Sequence, residues 1–179
     1  FLYCCTVLIC CSFIFGSVPQ AMAQPAANSK KLTAKSDRAM KAKAAPVRKR
    51  SQALLSQNKF EEVRQYLSTY TKANPDNKYI WVEFALFEEQ QFETDKALEY
   101  AEKALTLDPK YFDALVIKAR SKMAENKTSE AMKIAKQAES INPASCAPLE
   151  IQANGYLTMQ NYRQAAEIYK RLETFFQSP

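Results

Sequence analysis

Residues 94–109 read TDKALEYAEKALTLDP and residues 128–143 read TSEAMKIAKQAESINP, one pattern written twice, 34 positions apart. In the first, Ala97, Ala101, Ala104 and Leu105 recur three or four residues apart; in the second, Ala131, Ile134, Ala135 and Ala138 do the same. That spacing is a helical stripe, not the alternation of a strand. Each stretch closes on a prolyl pair, Asp108-Pro109 or Asn142-Pro143, and Asn74-Pro75 stands a further 34 residues upstream. Proline lacks an amide hydrogen and turns the residue before it out of the helical region, so Asn74, Asp108 and Asn142 each end a helix. A unit repeated at this period marks a helix-turn-helix solenoid, whose units bury their apolar faces by stacking.

Outward from this stretch the pattern continues in Ala165, Ala166, Ile168, Tyr169 and Leu172. Helices are predicted over 46–56, 60–73, 79–90, 94–107, 112–125, 129–141, 148–159 and 162–176, with Pro148 tolerated in a first turn. Short turns such as Gln57-Asn58-Lys59 and Asn126-Lys127-Thr128 force antiparallel neighbours. Trp81, Phe84, Phe87, Leu115, Leu149 and Tyr156 fill the volume that the alanines leave. The expected fold is all-α, an alpha-alpha superhelix of about four helical hairpins.

Residues 44–179 resemble a tetratricopeptide repeat array with units 44–77, 78–111, 112–145 and 146–179. The small residue of that family falls on Ser51, Ala85, Ala119 and Ala153. Its second-helix alanine falls on Val63, Ala97, Ala131 and Ala165, and a later alanine on Tyr70, Ala104, Ala138 and Leu172. The last unit carries the aromatic marks at Tyr156, Tyr162 and Tyr169, and the second has Trp81. Thr94 and Thr128 replace an expected aromatic, the usual glycine is missing, and the first unit is degenerate, as a terminal unit can be.

The front of the chain is different. Residues 1–15 are almost wholly apolar, and Ala21-Met22-Ala23 offers the small-x-small pattern that a signal peptidase cuts, leaving Gln24 as the mature start. Residues 1–23 are therefore expected to be a signal peptide or a membrane anchor. The chain begins with Phe and lacks a basic leader, which reads as a fragment without its first residues. The apolar run is shorter than the roughly 20 residues of a comfortable span, while Lys30-Lys31 just beyond favours retention on the cytoplasmic side. Export to the periplasm or medium is the favoured reading, and a membrane anchor the alternative. Cleavage would leave Cys146 as the lone mature cysteine, unable to form an internal disulfide: a buried inert thiol is the favoured reading and a cross-chain disulfide in an oxidising compartment the alternative.

Charge is segregated. Residues 24–50 hold nine Lys or Arg against Asp37 alone, whereas the rest of the chain is slightly acidic within an overall +6. The segment 24–45 is expected to be a flexible basic arm. Residues 30–50 could touch an anionic membrane or an acidic wall polymer, or simply keep a spacer soluble, with nucleic acid the weakest candidate.

The resemblance implies a concave inner wall built by the first helix of each unit. Carried onto this chain, the partner-binding residues would be Tyr79, Val82, Glu83, Leu86, Asp113, Val116, Arg120, Glu150, Ile151 and Asn154. That mixture of apolar and carboxylate side chains suits an extended peptide or an amphipathic helix with some basic character. The family's clamp for a terminal carboxylate is not expected: Arg48 and Gln52 occupy its first pair, but Glu83, Asp113 and Ile117 stand where Asn, Lys and Arg would be needed.

Catalysis is not expected either. The chain has no His and two Gly, which removes the usual general base, the commonest metal ligand and any Gly-rich phosphate cradle. No cofactor and no metal are implied. The function expected is a protein-interaction scaffold or assembly factor; a membrane-anchored structural subunit of an envelope complex and a cytoplasmic adaptor are the alternatives. Phe175-Phe176 at the end of the last unit also predicts further repeats or a capping helix, and a chain that self-associates or frays there.

Overall fold

The structure, a computed structural model, describes the backbone of residues 25–177 and the side chains of residues 34–175. The expected signal or anchor over 1–23 lies outside the described residues. The chain divides into two units after Ser36, and the helical hairpins lie in the second.

Among the described residues there are eight helices: α1 (Pro25–Leu55), α2 (Phe60–Ala73), α3 (Lys78–Gln90), α4 (Thr94–Leu107), α5 (Phe112–Ala124), α6 (Thr128–Ile141), α7 (Ala147–Thr158) and α8 (Tyr162–Gln177). Seven of them start and stop within one residue of the sequence expectation. The exception is α1, which is helical from Pro25, so the segment expected to be a flexible arm forms regular structure. The reason is compositional: between Pro25 and Pro46 the chain is rich in Ala and Lys, both strong helix formers. Pro46 sits inside the helix, where it supplies no amide hydrogen and crowds the carbonyl four residues back.

The hairpin turns repeat in backbone detail. Asn58, Phe92, Asn126 and Gln160 all take φ between 57° and 61°. In each turn, the amide after the left-handed position bonds back across the helix end: Lys59 to Leu54 at 3.1 Å, Glu93 to Glu88 at 2.9 Å, Lys127 to Lys122 at 2.9 Å, Asn161 to Tyr156 at 2.8 Å. This is the Schellman closure, which satisfies carbonyls that a helix end leaves open. Between hairpins, the amides of Asn74, Asp108 and Asn142 bond the carbonyls of Tyr70, Ala104 and Ala138, each at 3.0 Å. The three residues themselves have left the helical region, as a residue before proline is pressed to do.

Packing follows the alanine stripe. Ala97, Ala101, Ala104, Ala131, Ala135 and Ala138 are fully buried, and so are Ala85, Ala119 and Ala153 on the facing helices. Between them lie Leu67, Ile80, Ile117 and Leu149, each worth about 1.5–3 kcal/mol of burial. Trp81 is half-buried, stacks at a tilt on Tyr100 and donates its indole N–H to the Pro75 carbonyl at 2.7 Å. Cys146, expected to be buried, is only half-buried, against the core around Leu149. In the first unit Tyr70 replaces a buried alanine and stays exposed.

Neighbouring hairpins touch through α4 and α5 and through α6 and α7. In addition α3 touches α5 and α5 touches α7, while no such contact joins α4 to α6. The first helices therefore sit closer together than the second ones, which makes theirs the concave side.

Candidate partner-binding groove

The concave side is built at its N-terminal end by α1, α3 and the start of α5. Three anchors fix α1 there. Asn77 caps α3 by accepting from the Tyr79 amide at 3.1 Å, and donates to the Met40 carbonyl at 3.0 Å. Lys78 reaches Asp37 at 2.8 Å and Asp108 at 2.7 Å, and lies between the rings of Tyr79 and Tyr111. Arg48 pairs with Glu83 across α1 and α3.

Two adjoining clefts result. One, of about 390 Å³, is lined by Lys41, Arg48, Lys49, Tyr79, Tyr111 and Asp113 among others. The second, of about 360 Å³, shares Arg48, Gln52 and Asp113 with it and adds Glu83, Leu86 and Gln90. Tyr79 and Tyr111 meet edge to face at 5.4 Å.

Electrostatics differ between the two. Three cations and one carboxylate border the first cleft, one cation and two carboxylates the second. Glu83 holds the Arg48 guanidinium above its ordinary range, against the opposing effect of burial, so Arg48 is a fixed charge. Burial, with the Tyr79 hydroxyl donating to Asp37 at 2.7 Å, pushes the Tyr79 phenol up to about 12. Burial raises Tyr111 further still. Both rings are neutral hydrogen-bonding surfaces. Further along, burial raises Glu89 even though Arg120 pairs with it at 3.5 Å.

The expected binding residues separate into groups. Tyr79, Glu83, Leu86 and Asp113 converge on the clefts. Arg120, Glu150 and Asn154 are exposed beyond them. Val82, Val116 and Ile151 are buried in the hairpin cores, Val82 at 0% exposure, and offer no surface to a partner. The clefts also contain Lys41, Lys49 and Tyr111, which the sequence reading did not place there. The signal was present: Lys41, Ala45, Arg48 and Gln52 fall at helical spacing on one face, once the helix is extended back past Pro46. Among the described residues, no group of three or more His, Cys, Asp or Glu side chains could hold a metal ion. Nor is any described helix long and apolar enough to cross a membrane.

A tetratricopeptide repeat family model matches residues 89–150. No curated protein matches the chain. Among solved structures it is similar to MamA from MSR-1 at 17% identity and a TM-score of 0.61, covering 71% of this chain and 73% of that one. It is similar to a thermophilic TPR protein of Thermus thermophilus at 14% identity and a TM-score of 0.63, covering 76% of both chains. A third likeness is to the first TPR of Spaghetti (RPAP3), solved bound to the HSP90 peptide SRMEEVD, at 17% identity and a TM-score of 0.61, covering 66% of this chain and 97% of that one. At such identities the likeness establishes the fold. Residues 89–150 are thus a tetratricopeptide-repeat segment, carried in an all-α solenoid of paired hairpins.

Proposed function

We propose that this chain is a protein-interaction scaffold that holds a peptide or helix in the groove of α1, α3, α5 and α7. The observation that carries the reading is the pair of adjoining clefts, where two neutral tyrosines and the half-buried Leu86 lie among fixed charges of both signs. Apolar side chains give such a groove affinity, and surrounding charges give it register. The segment that fits best sets an acidic residue near Lys41 and Lys49 and a basic one near Asp113 and Glu150. A related fold holding the peptide SRMEEVD supports the class of ligand. The Arg48–Glu83 pair argues against the same mode, because the cation is already matched by a carboxylate.

A peptide-display selection on the purified protein tests this. Enriched peptides should lose at least about tenfold in affinity against Leu86→Asp or Asp113→Arg. Equal binding to these folded variants and to the wild type would remove the groove as the site.

Export with cleavage after Ala23 is part of the same proposal, supported by the apolar run and the small-x-small site. An intact mass starting at Gln24 is expected; retention in carbonate-washed membrane would favour the anchored structural subunit instead. In either case residues 30–50, outside the side chains that line the groove, are proposed to touch anionic lipid or wall polymer. Binding to phosphatidylserine vesicles should weaken as salt rises.

A further inference from the structure

On α1, Lys41, Ala45 and Lys49 follow one another at one-turn intervals along the wall of the first cleft. All three are exposed, but Ala45 ends at its Cβ and leaves a notch between two long side chains. Across the opening stand the half-buried rings of Tyr79 and Tyr111, edge to face with centroids 5.4 Å apart. The notch is thus bounded by α1, by α3 and by the start of α5, and these packed helices leave it open.

Size and charge restrict what can enter. The cleft, about 390 Å³, lies near the lower end of ligand sites and suits one large side chain with its flanking backbone. Of the three cations on its border, Arg48 is already matched by Glu83, which leaves Lys41 and Lys49 against Asp113 alone.

We propose that this cleft receives an aromatic side chain of the bound segment, with an acidic residue beside it. The assignment rests on the groove being the binding site and names what the groove selects. A ring entering over Ala45 extends the pair formed by Tyr79 and Tyr111, at the centroid spacings of about 4.5–7 Å that aromatic groups favour. The stems of Lys41 and Lys49 flank it, and their ammonium groups serve both the ring face and the neighbouring carboxylate. A leucine in the same place buries apolar area but gains neither the ring contacts nor the cation–π attraction. A basic neighbour would meet the two lysines with like charge.

Peptide-display selection run in parallel on the wild type, on Ala45→Trp and on the double variant Lys41→Glu, Lys49→Glu tests the assignment. The wild type should enrich Phe, Tyr or Trp next to Asp or Glu. In a peptide from that pool, replacing the aromatic residue by Leu should weaken binding at least about fivefold. Ala45→Trp, which fills the notch from within, should weaken it at least about tenfold. The double variant should keep the aromatic preference and lose the acidic one. The three substituted positions are exposed on one helix, so circular dichroism should be unchanged. If Ala45→Trp fails to fold, the leucine-substituted peptide against the wild type decides. Peptides that depend on Leu86 but show no aromatic enrichment and no response to Ala45→Trp would overturn this assignment and leave the groove standing. A selection in which nothing depends on Leu86 or Asp113 would remove both.

Discussion

Asn58, Phe92, Asn126 and Gln160 carry the same left-handed backbone, but they are not equally suited to it. Asparagine tolerates that region, whereas a bulky side chain there costs roughly 1–2 kcal/mol. Phe92 recovers little by packing, since it is 93% exposed. Phe92→Asn should therefore raise the unfolding free energy by about 1 kcal/mol, read as a higher denaturant midpoint at unchanged slope. A lower midpoint would show that the ring makes contacts that matter. Glu88 is the opposite case: it is fully buried and held by two nitrogens of Arg64, at 3.0 Å each, with Arg64 also lying over the Phe87 ring. Arg64→Ala leaves a buried carboxylate unmatched and should cost about 3–5 kcal/mol. Changing Arg64 and Glu88 together to leucine should recover most of that loss in thermal or chemical melts. Neither feature was legible in the sequence. Phe92 looks like any loop aromatic until its φ is known, and Arg64 and Glu88 lie on different hairpins.

At the scale of the element, what could be read was the rhythm. The prolines fixed where α2, α4 and α6 stop, and the alanine stripe fixed which face they bury, so those helices were predicted nearly to the residue. The α1 helix was not, because Pro46 looked like a boundary and Lys-rich segments look alike whether helical or free. Its upstream part is secured at Asp37. The Lys78 hydrogen bond is the largest influence on that carboxyl and holds it below its ordinary value, with burial opposing and the Tyr79 hydroxyl assisting. A depressed folded-state pKa contributes stability above the unfolded value near 3.8, and that contribution is lost as pH falls through the folded value. Asp37→Asn should consequently lower the melting temperature at pH 7 and have little effect at strongly acid pH, below the folded value. An equal deficit at both would mean that the charge is immaterial. The buried stripe gives a second test. Ala101→Leu overfills the α4–α5 contact and should cost about 1–3 kcal/mol, whereas Ala166→Leu, on the uncovered face of α8, should leave stability nearly unchanged.

For the molecule as a whole, the sequence disclosed the concave wall but not its depth. Helical periodicity places Val82 and Leu86 close together on α3, yet one is sealed in the core and the other borders a cleft. Only the angle between neighbouring hairpins decides which, and that angle depends on long-range packing. The charged residues were hidden for a related reason: Glu83 and Asp113 read as an acidic wall until Arg48 is set beside Glu83 and Lys41 and Lys49 join the same opening. Because those charges face solvent, groove binding of an oppositely patterned peptide should weaken measurably between low and physiological salt, while the Leu86 contact should persist. Titration of one selected peptide at two ionic strengths, with wild type and Leu86→Asp, separates the two contributions.

The seams between hairpins have a consequence for how such a chain can change. In backbone terms the units are interchangeable, since every turn closes with the same bonds. The side chains that bridge them are not: Arg64–Glu88 joins the first seam, Lys118–Glu102 and Arg120–Glu89 the second, and Gln152–Glu139 the third. Swapping the order of two units would preserve each fold and orphan these partners, including the buried Glu88. Duplicating a unit in place would create one seam without a matched pair. The order of units is thus written in a handful of polar residues, and a rearranged gene would need to rewrite those before its product became as stable as this one.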